Sequence, residues 1–207
     1  MSFTTEELAQ FNLQLRNESP LVIARWAIHK ATKPVVTTNF RPYEAAILHV
    51  CVAAQKNIPV IWCDSGYNTP QTYTHASQLI KQLELNVDTY VPNHTAAYRD
   101  TYLGIPDIND PKHEQFTKEV KLEPFSRAMR THEPDVWFTN LRQGQTDHRN
   151  SLDILSQSKD GVLKVSPFFY YSDADLDVYL TKNGLPNEFT YFDPTKVLGN
   201  RECGLHV

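Results

Sequence analysis

A chain of 207 residues, 41% hydrophobic and 21% charged, is long enough to bury one sizeable core, so a single domain over 1–207 is expected. A formal net charge of -4 argues against a broad nucleic-acid surface, although it leaves room for a local basic pocket that takes one small anion. No run approaches the roughly 18 apolar residues that cross a bilayer, and the polar, acidic start MSFTTEELAQFNLQL does not read as an export signal, so a soluble cytoplasmic protein is expected.

In chain order, Thr4 to Leu15 reads as a helix: Thr4 or Thr5 can cap it, and Leu8, Phe11 and Leu15 recur at helical spacing. Ser19 to Lys30 follows, with Pro20 in the tolerated first turn. Val35, Val36 and Thr37 form a short β-branched strand, and Tyr43 to Gln55 returns to a helical pattern. Ile58 to Trp62 is a second strand, ending at the polar turn Cys63 to Gly66, and Pro70 to Leu83 reads as the next helix. Beyond it lie a strand at Val87 to Val91, a helix around Glu123 to Arg130, and strands at Val136 to Thr139 and Leu163 to Phe168. Ser172 and Asp173 then cap a helix over Ala174 to Lys182, stopped by Gly184. Strands alternating with helices imply an α/β fold: an open, mostly parallel sheet with helices on both faces, plus an irregular tail over 185–207. Ligands of such sheets lie beyond the carboxyl ends of the strands, where the loops after Val36, Trp62 and Phe138 meet.

Chemistry concentrates in the last seven residues. Cys203 stands between Arg201 and His206, and cationic neighbours favour the nucleophilic thiolate; an incidental cysteine is the plainer alternative. Arg142 and Arg149, seven apart after a strand, suit phosphate or sulfate oxygens, although an arginine pair in a loop standing alone is more often plain surface charge. Asp64 and Gly66 at a strand end suit a ribose or phosphate, and equally suit an ordinary β–α turn. Cys51 and Cys63 read as small core residues. The eight histidines lack any metal spacing, and neither G-x-G-x-x-G nor G-x-x-x-x-G-K-[ST] occurs, so no metal site is expected.

Arg201 to His206, RECGLH, resembles the C-terminal signature of the sulfonucleotide reductases. Upstream, Cys63-Asp64-Ser65-Gly66-Tyr67 with Pro70, Thr72 and Tyr73 resembles that family's D-T-G-Y segment, and Glu123-Pro124 with Arg127-Ala128 its E-P-x-x-R-A. Leu141-Arg142-Gln143-Gly144-Gln145-Thr146-Asp147-His148-Arg149 is similar to its L-R-x-x-Q-S-x-x-R. The matches cover most of the chain in the family's order.

The resemblance implies an adenine nucleotide alpha-hydrolase-like fold and the reduction of 3'-phosphoadenylyl sulfate (PAPS) to sulfite, with Cys203 as nucleophile and an S-sulfocysteine intermediate. It implies substrate contacts from Thr38, Asn39, Arg41, Asp64, Gly66, Arg142, Gln145, Arg149, Arg201 and His206. It implies no bound cofactor, with reduced thioredoxin or glutaredoxin as electron donor, and no nucleic-acid or membrane partner. The oligomeric state is left open, a homodimer included. Members that carry an iron-sulfur cluster use Cys-Cys and C-x-x-C pairs, which this chain lacks; that selects PAPS over adenylyl sulfate, the alternative substrate. Two departures stand out. Thr37-Thr38-Asn39-Phe40-Arg41-Pro42-Tyr43-Glu44 replaces the family's S-x-F-G loop, without its glycine, and the connector from Gly184 to Gly199 is short, leaving Tyr191 and Lys196 as minor candidates. Other classes consistent with the fold are an ATP-dependent adenylating enzyme, although its S-G-G-x-D-S loop is missing, and a non-catalytic nucleotide-binding protein.

Overall fold

The helices begin where short polar side chains satisfy their first N–H groups. In the computed structural model, which describes residues 3–196, α1 (Thr5–Leu15) starts with a reciprocal capping box between Thr4 and Glu7. Ser19 caps α2 (Pro20–Lys30), Thr69 caps α4 (Pro70–Leu83) and Ser172 caps α9 (Asp173–Lys182). The remaining helix of this set, α3 (Glu44–Ala54), has no side-chain cap; Tyr43 precedes it in a left-handed conformation at φ 69°.

Among the described residues six strands form one sheet: β1 (Pro34–Thr38), β2 (Pro59–Cys63), β3 (Asn86–Tyr90), β4 (Val136–Phe138), β5 (Leu155–Gln157) and β6 (Leu163–Val165). Their order is β3-β2-β1-β4-β6-β5, parallel except for the β5–β6 pair. Alternate strand residues face opposite layers. Val36, Val60, Phe138 and Val165 join the larger core with residues of α2, α3, α4 and α9, whereas Val35, Ile61 and Trp137 meet Ala128, Phe125 and Met129 on the other face. The mostly parallel sheet with helices on both faces is therefore present. Among the described residues no helix is long and apolar enough to cross a membrane.

Between β3 and β4 the sequence predicts only the helix around Glu123. The structure adds α5 (Ala96–Asp100) and α6 (Lys112–Thr117), the latter running through a π-helical turn at Lys118–Leu122 into α7 (Glu123–His132). It also adds α8 (Asp147–Asn150) and the edge strand β5. Strand β5 is covered by α1: the Asn12 side-chain amide donates to the Leu155 carbonyl at 3.0 Å and accepts from its N–H at 2.8 Å, standing in for a neighbouring strand. Asn12→Ala leaves both backbone groups unpaired at a buried position, and is expected to cost about 1–3 kcal/mol in urea unfolding with the fold retained. A variant as stable as the native chain would show that water replaces the amide.

Candidate active site

The chain runs β1 to β2 to β3 in one direction and then crosses to β4 on the other side of β1, so β1 and β4 flank the point where strand order reverses. A cleft opens there beyond the strand ends. Thr37, Thr38 and Asn39 line it from β1, Thr139, Asn140 and Leu141 from the loop after β4, and Arg41, Lys121, Arg149 and Lys196 bring positive side chains to it. The cleft holds about 90 Å³, and a groove of about 410 Å³ shares Arg41, Arg149 and Lys196 with it while adding Arg142, Gln145 and Asp173.

The first loop is organised around Glu44, the opening residue of α3, which is 4% exposed. Its carboxylate accepts from the Thr38 hydroxyl at 2.7 Å, the Asn39 N–H at 2.7 Å and Arg41 Nε at 2.8 Å. Arg41 also donates to the Asn140 carbonyl at 3.3 Å, tying the β1 loop to the β4 loop.

On the β4 side, the Thr146 hydroxyl accepts from the Arg149 N–H at the start of α8, and the Arg149 guanidinium donates to Gln145. Arg149 is 4% exposed, so its charge is held in place rather than sampled from solvent. Arg142 sits differently: it donates to Asp173 at 2.6 Å and its guanidinium lies over the Tyr43 ring at 5.3 Å. The two arginines are thus not equivalent, since only Arg149 reaches the cleft itself.

Asp64 and Gly66 take the β–α turn role at the end of β2. The Asp64 carboxylate accepts from the Gly66 N–H at 2.9 Å, the Asn68 amide at 2.8 Å and the Tyr73 hydroxyl at 3.1 Å, and Gly66 has φ 81°. Neither is among the described residues lining the cleft. Cys63 lines it, yet burial pushes its thiol up to about 12, outweighing the pull of Lys121 and Arg127. Burial likewise raises Cys51 well above the ordinary thiol range. Both stay protonated near neutral pH, and neither is a ready nucleophile. Arg201, Cys203 and His206 lie outside the described residues.

Sequence reasoning missed Lys121, Glu44 and Asn140. Lys121 comes from the π-helical turn and donates to Asp193 at 2.6 Å and Thr195 at 3.2 Å, anchoring the 3₁₀ turn Pro194–Lys196 beside the cleft. Burial raises the Asp193 carboxyl, but the charge and hydrogen bond of Lys121 and the bonds from Thr195 outweigh it and leave a lowered value. Tyr191 and Lys196, minor candidates in the sequence, both line the cleft.

A mostly parallel sheet with helices on both faces and a cleft at the strand-order reversal is a doubly wound α/β architecture, a class that binds its ligands at that point. Solved structures share this architecture: phosphoadenylyl-sulfate (PAPS) reductase from Candida auris, solved as a phosphate complex, superimposes with a TM-score of 0.79 at 22% identity over 90% of each chain. An FMN adenylyltransferase from Candida glabrata has a TM-score of 0.60 at 9% identity, covering 90% of this chain and 61% of that one. At these identities the likeness concerns the fold. In sequence, residues 33–204 match the phosphoadenosine phosphosulfate reductase domain, and the chain belongs to that family. Among curated relatives, phosphoadenosine 5'-phosphosulfate reductase of Vibrio atlanticus is 32% identical over 86% of this chain and 69% of its own length. The Alkalilimnicola ehrlichii protein of the same name is 28% identical over 97% of this chain and 91% of its own.

Proposed function

We propose that this protein reduces a sulfonucleotide, 3'-phosphoadenylyl sulfate, to sulfite and adenosine 3',5'-bisphosphate. The observation that carries the reading is that the family segment, residues 33–204, contains both the cation-lined cleft and the cysteine of RECGLH. The Cys203 thiolate attacks the sulfate sulfur, the S–O bond to the nucleotide breaks, and adenosine 3',5'-bisphosphate leaves with the bond's electron pair. Cys203 then carries an S-sulfonate. A thiolate of reduced thioredoxin or glutaredoxin attacks Cys203 Sγ and expels sulfite; the partner's second thiol resolves the mixed disulfide and returns Cys203 to the thiolate. Sulfur gains two electrons, both from the dithiol, so no bound cofactor is required. A reducing cytoplasm, where such dithiols are maintained, is the compartment this chemistry fits.

Arg149 and the neighbouring positive side chains would hold the anionic oxygens of the substrate, with Thr38, Asn39 and Gln145 supporting them and Arg201 and His206 favouring the thiolate. Asp64 and Gly66 would act through the shape of the β2 turn. The test is sulfite release from PAPS and from adenylyl sulfate, each with reduced thioredoxin and with glutaredoxin. The reading expects sulfite from PAPS at a kcat/KM about tenfold or more above that for adenylyl sulfate, since the added phosphate gains charge-assisted contacts. Equal efficiency on the two nucleotides would overturn the substrate assignment, and no sulfite from either would overturn the reductase reading.

A further inference from the structure

The β1 loop places two non-glycine residues in the left-handed region, Phe40 at φ 53° and Tyr43 at φ 69°. Such conformations persist where the surroundings over-determine them. Here the Phe40 N–H donates to the Thr38 hydroxyl at 3.0 Å and the Tyr43 N–H to the Asn187 side chain at 2.8 Å, while the Glu44 carboxylate gathers the Thr38 hydroxyl, the Asn39 N–H and Arg41 Nε within 2.7–2.8 Å. Backbone N–H, hydroxyl and guanidinium at a helix start are the donors that a bound phosphate or sulfate would recruit. In this chain they already hold an anion, one belonging to the protein, buried and lining the same cleft as Arg149.

We propose that Glu44 is an affinity-limiting residue: a resident carboxylate that occupies the donors of the first loop, and by its charge limits how tightly the cleft holds an anionic ligand. Arg41 is then chiefly the partner that neutralises Glu44, and not a direct phosphate reader. The anionic groups of the ligand are captured on the Arg149 side of the cleft. This deepens the function proposed above and rests on it only for the choice of nucleotide probe.

Two accounts of Arg41 and Glu44 make opposite forecasts. If Glu44 opposes the ligand, neutralising it removes a nearby like charge and releases Arg41; if Glu44 serves only to aim Arg41 at the ligand, neutralising it weakens binding. Calorimetric titration of the full chain with adenosine 3',5'-bisphosphate and with inorganic phosphate separates them, because neither measurement needs turnover. Glu44→Gln is expected to tighten both ligands about tenfold, the scale of one like charge within several ångströms at intermediate dielectric. Arg41→Ala should weaken both, by leaving Glu44 unpaired in the cleft, and the double variant Arg41→Ala/Glu44→Gln should return to within about threefold of the native chain. Affinity unchanged or weakened in Glu44→Gln, or a double variant as weak as Arg41→Ala, would overturn the proposal.

Should Glu44→Gln alone fail to fold, Arg41→Met/Glu44→Gln removes both charges while keeping an amide oxygen to accept from the Thr38 hydroxyl and the Asn39 N–H. Phosphate affinity within about threefold of native, or tighter, supports the proposal there, and a loss of tenfold or more overturns it. Failure of the sulfite assay with these binding results intact would sink the reductase reading and leave the role of Glu44 standing.

Discussion

Cys203→Ser is expected to lower sulfite formation by about 10⁴-fold or more while adenosine 3',5'-bisphosphate still binds within about threefold of native affinity. A serine hydroxyl near neutral pH is a far weaker nucleophile than a thiolate, and a sulfate ester formed through it has oxygen where Cys203 Sγ would stand, leaving no divalent sulfur from which an incoming dithiol could expel sulfite. The other two cysteines cannot take over. Cys51 is fully buried and its thiol lies well above the ordinary range, and burial pushes Cys63 up to about 12 despite its place on the cleft wall. Cys51→Ala and Cys63→Ala should therefore keep turnover within a few-fold of native wherever they fold. Sulfite formation by Cys203→Ser within tenfold of native would remove the proposed nucleophile, and a Cys63→Ala variant that folds and is inactive would move it into the cleft wall.

Arg149→Ala is expected to lower kcat/KM about 10²-fold for PAPS and for adenylyl sulfate alike, the scale on which a buried charge contact to a ligand is lost. Preorganisation sets the size of this effect. Arg149 is fixed by the start of α8 and by Gln145, is almost fully buried and lines the cleft, so little side-chain freedom remains to be lost when an anion arrives. Arg149→Lys should recover only part of the loss, since a point charge does not reproduce the planar fork. Arg142→Ala should cost less, because Arg142 is already paired with Asp173 and faces the adjoining groove. Steady-state kinetics on both nucleotides, alongside thermal unfolding to confirm that each variant is folded, decides it; an Arg142→Ala loss equal to or larger than that of Arg149→Ala would reverse the assignment.

The elements that were legible in the sequence are those with local signals: Thr4, Ser19, Thr69 and Ser172 each cap a helix ahead of an apolar pattern, and the β-branched runs at Val35 and Ile58 became central strands. The stretch from Pro92 to Leu122 carries no such periodicity. Its helices are short and are organised by partners further along the chain, such as Glu119 ion-paired with buried Arg99, so local pattern says little about them. The three-residue β5 is similarly defined by Asn12, 143 positions away in the chain. Site residues divide the same way. Arg149 followed from motif resemblance and Thr38 from its place in the loop after the first strand, and both reach the cleft, whereas Lys121 depends on a π-helical turn and Glu44 on a loop whose donors fold back on it, neither of which spacing reveals. Asp64 illustrates the converse: a residue that matched a motif and is engaged in shaping its own turn.

The most direct test of the central claim is intact-protein and peptide mass spectrometry of the native chain given PAPS with no thioredoxin or glutaredoxin. The account predicts one added SO₃ group per chain, located on Cys203, formed with release of one adenosine 3',5'-bisphosphate and discharged as sulfite when a reduced dithiol partner is added. No adduct while the complete system makes sulfite, or an adduct located on Cys51 or Cys63, would contradict it.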